Sequence, residues 1–222
     1  MNKMSEHNCP HSCVDCGTFS CGRGGFAGTK EDSPFPPFCL TTNAEGELMK
    51  EVMDLYQEEE NKTAMIAAAE VEHEFYCQLT RLQETKEFAK KIGAKRIGIA
   101  FCGGVKEEAK IVTKYFRHHG FEVYGACCKV GSVPKTEMGI PAVCSETTGK
   151  IACNPIMQAK ILNKAGTDLN VLMGLCVGHD SLYYKYCDGL CTTLFTKDRV
   201  LGHNAASVIY QANGYYKKKL FD

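Results

Sequence analysis

The chain has 222 residues, 26 of them basic and 26 acidic, so it carries no net charge, and 44% are hydrophobic. That is enough for one large domain, or for a domain with an appendage. The balanced charge argues against a nucleic-acid footprint or an anionic membrane surface as the main partner, and no run approaches the ~18 apolar residues needed to span a bilayer.

Residues 1–43 read as irregular. They hold a cysteine cluster, then GRGGFAG, then SPFPPFC, and this density of Gly and Pro forbids long regular elements. Residues 44–92 read as helical: Asn43 can cap the start, Leu48, Val52, Leu55 and Tyr56 recur at helical spacing, and Glu58 to Asn61 form a joint. An Ala-rich stretch from Thr63 to Phe75 follows, then an apolar stripe through Leu79, Leu82, Phe88 and Ile92, closed by Gly93. Cys77 falls in this helical region as a packing residue. From Lys95 the pattern becomes strand–helix alternation. Strands are expected at 96–101, 121–126, 169–175 and 192–196, and helices at 105–118, from Asn154-Pro155 onward, at 181–186 and at 204–212. The long connection from Lys129 to Ala152 reads as a functional loop. The fold class that follows is α/β: three layers, with a mostly parallel sheet of about four strands and flanking helices. The irregular cysteine-rich segment, 1–43, precedes this domain of 44–222.

The chain has 14 cysteines. At this length it buries roughly 70% of its unfolded surface and needs no staple. The start MNKMSEHN lacks the apolar core of a signal peptide, so a reducing, cytoplasmic setting is expected and metal ligation is favoured over disulfides. Cys9, Cys13, Cys16 and Cys21 lie within thirteen residues. Four such thiolates suit tetrahedral zinc or a four-iron iron–sulfur (4Fe-4S) cluster, and three closely spaced thiols with a fourth nearby lean toward the cluster. The spacing C-x3-C-x2-C also occurs in radical S-adenosylmethionine enzymes. Here only eight residues precede Cys9, Asp15 stands where an aromatic is usual, and Cys21 is surplus, so that reading is set aside.

A second set of thiols falls at the expected strand ends: Cys102, Cys127 with Cys128, and Cys176. Cys153 stands just before a helix start, and Cys144 lies in the long loop. In open α/β sheets ligands bind outside the carboxyl ends of the strands, so these thiols point to a shared site. In Gly174–Asp180, His179 is a candidate metal ligand, or a base that keeps Cys176 as a thiolate nucleophile, and Asp180 orients an imidazole or caps a helix. Lys197, Arg199 and His203 are expected on the rim, where a cation would meet an anionic ligand group. Cys187 and Cys191 form a C-x3-C pair without a nearby partner.

The stretches AEVEHEFYCQLTRLQETKEFAKKIGAKRIGIAFC, FEVYGACCKVG, CNPIMQAKILNKAGTDLNVLMGLCVGHDSL and KDRVLGHNAAS, with the CPHSCVDC start, closely resemble an uncharacterised cysteine-rich family, domain-of-unknown-function family 1847, whose members are labelled only "metal-binding protein". The resemblance spans essentially the whole chain and implies metal binding without a defined reaction. It covers Cys9, Cys13, Cys16 and Cys21, and in the sheet region Cys102, Cys127, Cys128, Cys153, Cys176 and His179. Cys77, Cys187 and Cys191 fall where the family pattern has other residues. It also implies an anaerobic bacterial or archaeal setting. The expectation is a cytoplasmic metal or iron–sulfur protein with a closed amino-terminal site and a second Cys/His site at the strand ends. Its partner would be a small molecule or a redox protein. The alternatives are a Cys176/His179 enzyme with structural zinc, and a non-enzymatic metal carrier or electron-transfer module.

Overall fold

The computed structural model describes residues 11–22, 35–44 and 46–221. The chain divides into two compact units, Met1–Met65 and Ile66–Asp222. In the first, a turn of 3-10 helix at Cys13–Asp15 is closed by Ser12, whose N–H donates to Asp15 Oδ2 at 2.8 Å. Two helices follow, α1 (Leu40–Asn43) and α2 (Gly46–Leu55). Asn43 does not cap a helix start. It ends α1, and its Nδ2 donates to Pro37 O at 2.8 Å and Cys39 O at 3.0 Å.

Helix α3 (Glu59–Phe75) runs from the first unit into the second, and α4 (Arg81–Lys91) opens with a capping box between Thr80 and Gln83. Cys77 is not a helical packing residue. It sits between these helices, exposed, with φ 57°, where the chain must reverse and the helix cannot continue. The sheet then forms from β1 (Arg96–Phe101), β2 (Glu122–Cys127), β3 (Leu169–Met173) and β4 (Leu190–Phe195), all parallel, in the order β2-β1-β3-β4. Helix α5 (Lys106–His118) links β1 to β2, α7 (Pro155–Lys164) leads into β3, and α8 (His179–Tyr186) leads into β4.

The three-layer expectation holds. On one face of the sheet Ile97, Ile99, Val171 and Met173 pack with Val112 and Phe116 of α5 and Ala89 of α4. On the other, Ala100 and Leu172 pack with Ala159 and Leu162 of α7 and Tyr183 of α8. The central strands are apolar on both faces, as sheets covered on both sides require. One polar residue breaks that rule: Asn170, fully buried in β3, sits in register opposite Gly98 of β1.

The 129–152 connection is more ordered than its composition suggests. It carries a 3-10 turn at Lys135–Met138 and helix α6 (Cys144–Thr148). Lys135 is buried, and its Nζ donates to Cys144 O at 2.7 Å and Thr148 Oγ1 at 2.6 Å. The expected helix at 204–212 is shorter, α9 (Ala206–Tyr210), and a further helix, α10 (Lys217–Phe221), follows it. Among the described residues no helix is long and apolar enough to cross a membrane.

Candidate thiol site at the carboxyl edge of the sheet

The strand order places a switch point between β1 and β3. The chain leaves β1 toward β2 and later returns on the other side of β1, so the loops after β1 and β3 diverge and leave a crevice. The two loops start side by side, since the Cys102 N–H donates to Met173 O at 3.1 Å. Gly174 then turns the chain with φ 60°, and a side chain there would press on Phe195 and Val105. Cys128 follows β2 and is tied to β1 by its N–H on Phe101 O at 2.9 Å. The Asn154 N–H donates to Cys128 O at 2.7 Å. That bond brings the end of the 129–152 connection back and sets Cys153 against Cys128. Asn154 then caps α7, its Oδ1 accepting the Met157 N–H at 3.1 Å.

Four side chains from four segments are thereby joined in sequence. The Cys128 thiol lies beside both Cys102 and Cys153, and Cys153 lies beside His179, the first residue of α8. Cys128 is buried, 3% exposed, and its sulfur accepts the Gly103 N–H at 3.3 Å.

The hydrogen bond from Cys128, followed by that from His179, draws the Cys153 thiol down to about 4 against the cost of burial, with the Lys129 charge assisting. Cys102 is drawn down to about 5, first by Cys128 and further by the Gly104 backbone and the Lys197 charge. Cys128 moves the other way, because it gives its proton to these bonds and is buried. It has a single proton to give, so the thiolate best supported is Cys153, which also has His179. The His179 imidazole is raised in turn, chiefly by Cys153. Both shifts favour a thiolate facing an imidazolium.

Cys176 lies on the rim. Arg199 Nη2 donates to its sulfur at 2.9 Å, while His179 turns to Cys153 instead. Asp180 Oδ1 accepts the Ser181 N–H at 2.8 Å, and its charge supports the His179 imidazolium. Lys197 and His203 meet at 3.4 Å between Nζ and Nε2, and the His203 ring stacks on Phe195. Cys127 flanks Gly103. Cys144 is exposed at the start of α6. Sequence reasoning passed over Lys129, although it directly follows Cys127-Cys128.

In the first unit, Cys13, Cys16 and Cys21 are described, and Cys9 lies outside the described residues. Cys16 Sγ accepts the Phe19 N–H at 3.4 Å. Its thiol is held below its usual value by the Thr18 backbone first and then by that of Phe19. Cys39, which was not singled out, is lowered as well, chiefly by the Thr42 backbone. It follows Phe38, whose ring meets His11 at 5.2 Å. All the described cysteines are free thiols. Among the described residues no group of three or more His, Cys, Asp or Glu is arranged to hold a metal ion. The Cys102–Cys128–Cys153–His179 set is a chain of contacts, not a closed cage.

The model of the family described as "Protein of unknown function (DUF1847)" matches residues 39–194. The chain is also 44% identical, over 176 residues, to an uncharacterized protein of Methanocaldococcus jannaschii, with 79% of this chain and 89% of that protein covered.

Proposed function

The chain thus belongs to the DUF1847 family, and we propose that it works as a metal–thiolate protein of the cytoplasm whose reactive part is the Cys/His site at the carboxyl edge of the sheet. The observation that carries this reading is the buried Cys128 thiol, in contact with Cys102 and Cys153 from separate segments, with His179 beyond Cys153. Three sulfurs and one imidazole are a donor set that suits zinc, and thiolates at these positions also suit an iron–sulfur cluster. The environment already favours the Cys153 thiolate and draws Cys102 down as well, and a metal requires its thiol ligands deprotonated.

Cys102, Cys128 and Cys153 would hold the metal, with His179 as fourth ligand or as proton donor beside it. The metal would supply Lewis acidity if zinc, or electron transfer if iron–sulfur. Lys129 and Lys197 offset the negative charge of the thiolates. Cys127 and Cys176 flank the set, and Arg199 faces the crevice mouth, where it can receive an anionic group of a small molecule or redox partner. The amino-terminal Cys9, Cys13, Cys16 and Cys21 would form the second, closed site. The backbone N–H groups directed at Cys16 support an anionic sulfur there. Reducing cytoplasm suits so many free thiols.

Elemental analysis with visible absorption, on protein prepared without oxygen, tests this. Stoichiometric zinc, or iron with acid-labile sulfide and thiolate-to-iron absorption, is expected. Absence of both metals would sink the reading. A second reading, a cysteine nucleophile, is favoured by the Cys153–His179 pair and by the cation held on Cys176. Selective alkylation of Cys153 or Cys176 before any metal is removed supports that alternative. Masking of both until a chelator is added supports the metal.

A further inference from the structure

We propose that Cys187 and Cys191 form a redox-active dithiol, separate from the strand-end site, that is oxidised to an intramolecular disulfide by low-molecular-weight disulfides, with Cys187 as the attacking thiol. Cys187 ends α8 and Cys191 is the second residue of β4, so the pair spans the short turn through Asp188-Gly189. Both are half-buried against the core on the α7–α8 side; Cys191 stands in register with Asn170, whose amide reaches Cys187, so the two thiols lie beside each other.

Two buried polar groups in that layer of the core face Cys187. Asn170, the one polar residue of β3, donates its Nδ2 hydrogen to Cys187 Sγ at 3.4 Å. Its Oδ1 accepts the Thr167 hydroxyl at 2.9 Å, which directs the amide nitrogen to the sulfur. The Tyr183 hydroxyl is fully buried and has no hydrogen-bond partner among the described residues. It lies against Cys187, where a thiolate would give it an acceptor. A buried donor without an acceptor is costly, so the Tyr183 hydroxyl, together with the Asn170 amide already directed at the sulfur, favours an anionic Cys187. In keeping with this, Cys191 first, then the Gly189 backbone and the neighbouring Tyr183 hydroxyl, draw Cys187 down to about 6 against the cost of burial. Cys191 is raised, by Cys187 first and then by burial.

The reaction balances with the disulfide as oxidant. The Cys187 thiolate attacks one sulfur of RSSR, the S–S bond breaks, and RS⁻ leaves. The Cys191 sulfur then attacks Cys187 in the mixed disulfide. The second RS group departs as RSH with the Cys191 proton. Two electrons pass from the dithiol to RSSR.

The full chain, reduced and then exposed to graded mixtures of oxidised and reduced glutathione, is quenched in acid, alkylated and peptide-mapped, with and without a metal chelator. The expected result is a Cys187–Cys191 disulfide in the wild type under both conditions. In Cys191→Ser the glutathione adduct should stay on Cys187. In Cys187→Ser, capture on Cys191 should be at least about tenfold slower. Should either variant fail to fold, sub-stoichiometric oxidised glutathione on the wild type gives the order of attack from the transient adduct. Two results would overturn the proposal: both thiols staying alkylatable in the most oxidising mixture, or first capture at Cys191. Because the readout is the same with the chelator present, its failure is distinct from a failure of the metal reading.

Discussion

Replacing Gly98 with alanine tests whether Asn170 is held where the fold and the dithiol need it. A Cβ on Gly98 would fall inside the van der Waals envelope of Asn170 Oδ1, and it would also meet Leu162 Cδ1 at 3.1 Å. The amide must swing away, and it then loses its bonds to Thr167 Oγ1 at 2.9 Å and Cys187 Sγ at 3.4 Å. Leaving such groups buried and unpaired costs about 1–3 kcal/mol, and forcing a methyl into a filled core adds about 1–3 kcal/mol. The expected loss is about 4 kcal/mol, or a fall of roughly 10 °C in Tm for a chain of this size. Thermal unfolding followed by far-ultraviolet circular dichroism, on reduced protein, reads this. In an Asn170→Ala background the obstruction is gone and only the Leu162 approach remains, so the same change should cost about 1 kcal/mol. The coupling between the two positions should then be about 3 kcal/mol. A loss below about 1 kcal/mol in the wild type, or additive costs, would refute the packing argument.

In metal-free protein, alkylation of Cys153 by iodoacetamide should stay nearly constant from pH 8 to about 5 and fall only as its thiolate is protonated near about 4. An ordinary thiol loses about tenfold per pH unit below its value near 8.5, and that steeper profile at Cys153 would contradict the pairing with His179. Asn154→Ala removes the cap on α7 at Met157 and should cost about 1 kcal/mol in urea unfolding. It should also loosen Cys153, read as faster metal loss to a chelator. Lys135→Met removes the buried donor shared by the Cys144 carbonyl and the Thr148 hydroxyl, which keep only their mutual bond at 3.0 Å, and should cost about 1 kcal/mol. Limited proteolysis should then cut within 136–150 at least several-fold faster than in the wild type, and unchanged cutting would contradict the staple.

The sheet was legible because its signals are local. Arg96–Phe101 is a short apolar run ending in Cys-Gly-Gly, and β1 occupies just those residues. The Asn154-Pro155 start of α7 follows from the chemistry of the cap. The edge strand β4 begins two residues before its expected start, because Leu190 and Cys191 already pair with Leu169 and Asn170 of β3. Gathering of Cys102, Cys128 and Cys153 at one edge followed from parallel strands sharing an end. Which thiol meets His179 did not follow from the sequence. In the chain, Cys176 is three residues from His179, yet the chain turns through Gly178 at φ 82° and α8 starts with the imidazole on Cys153. That choice depends on where the 129–152 connection returns, and the return is fixed by the Asn154–Cys128 backbone bond and the buried Lys135. Asn170 was visible as one polar residue inside LNVLM, but its meaning needed Gly98 on the neighbouring strand.

Cys102, Cys128, Cys153 and His179 are proposed to hold one metal centre, distinct from the amino-terminal cysteines. Its most direct test is metal content per chain in anaerobically prepared wild type and in folded Cys128→Ala and Cys153→Ala variants. Each variant should lose the metal of one centre and keep that of the other. Variants that retain the full wild-type metal content would contradict it.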